Sequence, residues 1–157
     1  MKVRQTLISS NFKGVRHFSP DEFRYPELMD SQTIHLLDRM RDIEGARRNI
    51  IITINCDYVP PSSGGHAPNS MHYRGKAVDC VIRDGRSRRP LPVVEQFLIA
   101  IRYQWTGIGF YPFWDDPGLH LDTRPGTRFS PRSMWWRDAD GHYKAVEEYF
   151  DQWNGKT

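Results

Sequence analysis

The stretch Ser70-Met71-His72-Tyr73-Arg74-Gly75-Lys76-Ala77-Val78-Asp79 places an imidazole and a carboxylate a short way apart, across a glycine turn that runs into an apolar segment. A second imidazole, His120, lies in Gly118-Leu119-His120-Leu121-Asp122. Two nitrogens and one oxygen form the ligand set of a catalytic zinc site, whose fourth position stays open for water. The residue types therefore point to a metal-dependent hydrolase with His72, Asp79 and His120 as ligands. His120 and Asp122 are two apart in a strand and share a face, so Asp122 is placed to orient a ligand or to touch the water. The plainer alternative is that a chain with six histidines produces such pairs without a site.

His66 lies in the Gly-rich loop before the motif, within reach of substrate or of a developing oxyanion; an exposed loop residue is the alternative. Tyr73 and Tyr111 offer hydroxyl donors and Trp114 a cleft wall, and packing explains each equally well. His35 sits among apolar neighbours on a helix, which points to a packed or half-exposed ring and not to a ligand.

Three segments taken together, Ser70-x-His72-x-x-Gly75-x-Ala77-x-Asp79, Gly107-Ile108-Gly109-Phe110-Tyr111-Pro112 and Gly118-Leu119-His120-Leu121-Asp122, resemble the M15 family of zinc peptidases. That family includes D-alanyl-D-alanine carboxypeptidases, D-Ala-D-Ala dipeptidases and phage L-alanyl-D-glutamate endolysins. The run from His72 to Asp79 is also similar to the hedgehog signalling domain, which shares the fold. His17-Phe18-Ser19-Pro20-Asp21-Glu22-Phe23, the helix after it and the strand from Ile50 to Ile54 extend the resemblance, which covers most of the chain to Thr123.

The resemblance implies Zn2+ held by His72, Asp79 and His120, and hydrolysis of peptidoglycan stem or cross-bridge peptides by a D,D-carboxypeptidase or an endolysin-like endopeptidase. Many relatives carry a glutamate general base shortly before the last histidine. Asp115 and Asp116 stand there instead, so Asp116 is the first candidate for the base, Asp115 the second and Asp122 the fallback. Relatives often carry an oxyanion-stabilising arginine after the strand that precedes the ligand loop, where this chain reads Asn55-Cys56-Asp57-Tyr58. Arg74 is the arginine nearby in sequence. The candidate substrate contacts are Arg74, His66, Ser70 and Tyr111.

The elements that must position these residues follow from local pattern. Ser19-Pro20-Asp21-Glu22 is a capping box with proline at the first helical position. A longer helix, capped by Asp30 or Ser31, carries Ile34, Leu37 and Met40 on one face until Gly45. Asn49 to Cys56 reads as a buried β-branched strand, 62–69 as a loop and Ala77 to Ile82 as a second strand. A helix opens near Pro92, and strands follow at Gly107 to Tyr111 and Gly118 to Thr123. Met134 to Arg137 and His142 to Ala145 form a hairpin, and Val146 to Trp153 an amphipathic helix. This order predicts one α+β domain over 1–157, a mainly antiparallel sheet flanked by helices, with the hedgehog/D-Ala-D-Ala peptidase-like fold as what the resemblance implies.

Composition narrows the function classes. With 38% hydrophobic residues the 157-residue chain is long enough to bury a core. A net charge of +3 supports an anionic partner only weakly. The arginines at 47–48 and 83–89 lack interleaved aromatics, so no nucleic-acid partner is expected. Cys56 and Cys80 read as buried thiols, with a bridge between them as the alternative. The basic start has no apolar run behind it, so the expectations are no signal peptide, no membrane insertion, a cytoplasmic monomer, and release to the cell wall in a phage or prophage context. A metal-binding structural or binding module of the same fold, with little or no catalysis, is the competing reading.

Overall fold

A computed structural model describes residues 2–126 and 132–154, the side chains of 153 and 154 excepted. Its elements, in chain order, are α1 (Lys2–Asn11), α2 (Ser31–Arg48), β1 (Ile50–Cys56), β2 (Ala77–Asp84), α3 (Val93–Ala100), β3 (Gly107–Tyr111), β4 (Gly118–Asp122), β5 (Ser133–Arg137), β6 (Tyr143–Ala145) and α4 (Val146–Asn154). The strands make one six-stranded sheet in the order β1-β2-β4-β3-β5-β6. Its pairings are antiparallel except β3 with β5, so the sheet is mixed and the class is α+β.

Period-two alternation gives the middle of this sheet two unlike faces. Val78, Cys80, Ile82, Ile108, Phe110, Leu119 and Leu121 are fully buried and join Ile34, Leu37 and Met40 of α2 and Phe97 and Ile99 of α3 in a single core. The alternate residues turn the other way. Register aligns one row of them across the sheet, with Cys56 opposite Asp79, Asp79 opposite His120, His120 opposite Gly109 and Gly109 opposite Trp135.

Several expectations are met by local chemistry. The Ser19 capping box forms with both of its bonds, closing a short 3-10 turn over Pro20–Glu22. The Asp30 side chain accepts from Thr33 N and opens α2. That helix continues past Gly45 to Arg48, because Asn49 takes the left-handed conformation that ends it (φ 50°). Two expectations are corrected, and one helix is added. The strand β1 lies at the sheet edge and is only half-buried, because among the described residues no strand pairs with its outer side. Cys56 is likewise half-buried, and both cysteines are free thiols. The helix α1 has no signal in the sequence because none of its residues is buried, so no apolar stripe marks it. Among the described residues no helix is long and apolar enough to cross a membrane.

Candidate metal centre

His72 is delivered by a 3-10 turn, Met71–Arg74, between β1 and β2. Ser70 caps the turn by accepting from His72 N at 3.3 Å. Gly75 then takes a left-handed φ of 67°, where a Cβ would lie 1.9 Å from Leu28 O, so only glycine turns the chain into β2 here. The His72 ring is buried, and its Nδ1 donates to the carbonyl oxygen of Asp57 at 2.6 Å, which turns Nε2 toward Asp79 and His120. The Asp57 carboxylate in turn accepts from the backbone N–H groups of Arg24 and Tyr25 at 2.5 and 3.1 Å. The 62–69 loop folds over the ring: Tyr73 donates its hydroxyl to His66 O at 3.2 Å, and the His66 and His72 rings lie 4.7 Å apart.

Asp79 and His120 meet as cross-strand neighbours on β2 and β4. His72 Nε2, Asp79 Oδ1 and His120 Nδ1 form a triangle with edges of 3.2, 2.9 and 3.1 Å. Ligands about 2.0–2.2 Å from zinc at tetrahedral angles stand about 3.3–3.5 Å apart, so the donor set fits such an ion in number, type and spacing. The observed edges are a few tenths shorter, as expected where protons join the donors. Burial opposes the charge on His72, yet hydrogen bonds with Asp79 and Cys56 outweigh it and raise its pKa to about 10. Burial likewise opposes the charge on His120, and bonds to Asp122 and Asp79 raise its pKa all the same. The Asp79 carboxyl is pushed up by burial but held well below the usual carboxylate range by the two imidazoles.

Asp122 orients its neighbour. Its Oδ2 accepts from His120 Nε2 at 2.9 Å, which directs Nδ1 toward His72 and Asp79. Arg124 clamps the same carboxylate through Nε and Nη2 as well as its backbone N–H. Room for this fully buried carboxylate comes from Gly107, where a Cβ would lie 2.2 Å from Asp122 Oδ1. Gly109 does the same for Trp135, whose indole crosses β3 and stands 5.4 Å from the His120 ring.

His72, Asp79 and His120 border two hollows. One, of about 530 Å³, is lined by Asp79, Asn55, Cys56 and the loop from Phe113 to Asp116. The other, of about 470 Å³, is lined by His72, His120, His66, Tyr111, Arg124 and Trp135, with Ser70 at its edge. Cys56 belongs to the donor group, since Cys56, His72 and Asp79 offer atoms within 4.8 Å of one another. Its Sγ sits 3.8 Å from both His72 Nδ1 and Asp57 O, beside the bond that orients the ring and away from the Nε2 side.

The structure thus brings His72, Asp79 and His120 together and separates the remaining candidates. Asp122 is committed to His120 and Arg124, so its place is behind a ligand and not over the cleft. Asp116 lines the first hollow but is bonded to Arg83 Nη2 at 2.5 Å, and Asp115 is exposed beside it. Arg74 points outward from the ligand turn and lines neither hollow, because the turn directs His72 inward and its neighbour away. Arg124 is the arginine that reaches the second hollow. The alternation His120, Asp122, Arg124 carries a signal for it, whereas nothing in the sequence marks the Asp57 carbonyl or Trp135. No protein-family model matches the chain, and no curated protein does either.

Proposed function

We propose that this chain is a zinc-dependent peptidase of the M15 type with the hedgehog-like fold, hydrolysing peptidoglycan stem or cross-bridge peptides as a D,D-carboxypeptidase or an endolysin-like endopeptidase. The observation that carries the reading is the convergence of His72 Nε2, Asp79 Oδ1 and His120 Nδ1 between two hollows, each imidazole fixed by a bond at its other nitrogen. Zinc in that position supplies Lewis acidity, acidifying water and polarising a scissile carbonyl. The chain's own groups do the rest. A peptide lies across the cleft with its two ends in the two hollows. Asp115, on the loop that walls the Asp79 side, takes a proton from water and passes it to the leaving amine. Asp116, held by Arg83, fixes that loop. Arg124, His66 and Tyr111 line the opposite hollow and orient the substrate carbonyl and carboxylate.

A second reading, a metal-holding binding module with little catalysis, is favoured by one observation: the Asp122 and Asp116 carboxylates are both already paired with arginine. Metal-loaded and chelated protein, incubated with purified peptidoglycan and followed by mass analysis of released fragments, separates the two. The peptidase releases peptide fragments only when loaded, and Asp115→Asn lowers that release by roughly 100-fold or more while Asp116→Asn lowers it less. Equal, negligible release from both samples would leave the binding module standing.

A further inference from the structure

We infer that the hollow between the 112–117 loop and the β5–β6 turn is a sugar-binding subsite that takes one pyranose ring of a glycan. It has a volume of about 240 Å³, with Tyr111, Phe113 and Trp114 on one wall and Arg137, Asp138 and Asp140 on the other. The aromatic wall is built before any ligand arrives. The Trp114 ring lies flat on Tyr111, with centroids 4.0 Å apart and planes within 11°, and Tyr111 is buried at the end of β3. Phe113 is 62% exposed and Tyr143 64%, and these two exposed aromatics, among the described residues, both border the clefts around the metal centre. Phe113 lines the proposed hollow itself, and an apolar ring left in water on the wall of a hollow marks a surface that is covered in use.

The opposite wall decides what covers it. Asp138 is held by the backbone N–H of His142 at 2.8 Å and by Lys144 Nζ at 2.9 Å, and Arg137 Nε donates to Gly141 O at 3.1 Å. These bonds fix a guanidinium and the Asp138 carboxylate across from the rings, with the exposed Asp140 carboxylate beside them. A pyranose presents C–H faces that suit aromatic rings and a rim of hydroxyls that donate to carboxylates and accept from a guanidinium. An aromatic side chain would use the rings alone and a simple cation the carboxylates of Asp138 and Asp140 alone, whereas a pyranose uses both walls. Phe113 and Trp114 are shared with the hollow that Asp79 borders, and Tyr111 with the one over His72 and His120. A bound sugar therefore sits next to the reacting peptide. The inference deepens the proposed function, on which it rests for the choice of an N-acetylated amino sugar, by naming glycan-attached peptides rather than free peptides as substrate.

The test is titration of the full, metal-free chain with the N-acetylglucosamine trimer, read by calorimetry and by tryptophan fluorescence. Saturable binding is expected, weakened about tenfold or more by Trp114→Ala and by Phe113→Ala, as on losing an aromatic anchor. Leu98→Ala, on the exposed side of α3, leaves it unchanged. Absence of saturable binding, or binding indifferent to both aromatic substitutions, overturns the subsite. Trimer binding in a protein that releases no peptide keeps the subsite and removes the peptidase; peptide release without trimer binding does the reverse.

Discussion

Along β4 the two faces of the sheet obey different rules. Leu119 and Leu121 face the core, where any apolar side chain of similar volume keeps the packing. His120 and Asp122, one residue over, lie on the other face, His120 at the cleft and Asp122 buried behind it, and there the identity of single atoms matters: Nδ1 toward His72 and Asp79, Nε2 toward Asp122. The same contrast holds on β2 between Cys80 and Asp79, and on β3 between Phe110 and Gly109. One face is specified by volume and the other by chemistry, and the strand's alternation keeps them from interfering.

Adjacent substitutions break the comparison most sharply. His120→Ala is expected to weaken zinc binding by roughly a thousandfold or more, far beyond any loss of stability in the metal-free protein. Leu121→Ala, its neighbour, is expected to cost about 2–5 kcal/mol of stability with zinc affinity retained in the folded protein. Calorimetry for both properties on both variants checks this, and matching effects of the two changes would contradict it. A smaller effect is expected for Asp122→Asn, which removes the charge behind His120 and should lower zinc affinity by roughly 10- to 100-fold, with a competing chelator as the readout. An unchanged affinity would mean that Asp122 serves only the packing around Arg124.

The smallest effect is a proton. Burial works against the His72 charge, but its bonds to Asp79 and Cys56 win, so without metal it keeps its proton up to about pH 10. Its raised value stabilises the metal-free fold fully below the unfolded value of 6.5, and that contribution is lost as pH rises through about 10. A cation must displace the same proton, so zinc binding at pH 7 is expected to release about one proton from His72 and to tighten as pH rises. Titrations in buffers of different ionisation enthalpy measure the release, and an enthalpy independent of buffer would contradict it.

Much of the element order is legible in the sequence because capping boxes, proline positions and β-branched runs are local signals. The capping by Asp30, the strands from Ala77 and Gly107, and the hairpin after Ser133 all follow from such patterns. The convergence of His72, Asp79 and His120 is legible for the same reason: each residue sits in a short motif at a turn or in a strand. What surrounds the triad is not. The carbonyl of Asp57 orients His72 through a backbone atom that every residue possesses, and Trp135 reaches His120 only because β5 pairs in parallel with β3. Asp116 stands where a base is expected, yet Arg83, 33 residues earlier in the chain, takes its carboxylate. Such partnerships arise from tertiary folding and leave no periodic trace.

The row Cys56, Asp79, His120, Gly109, Trp135 has a consequence for misfolding. A slip of one residue between β2 and β4 would send His120 and Asp122 into the apolar interior and bring Leu119 and Leu121 out over the cleft. Such a chain would bury ionisable groups without partners and pull His72, Asp79 and His120 apart at the same time. The site therefore acts as a proofreading device for strand alignment, penalising the wrong pairing through two independent losses.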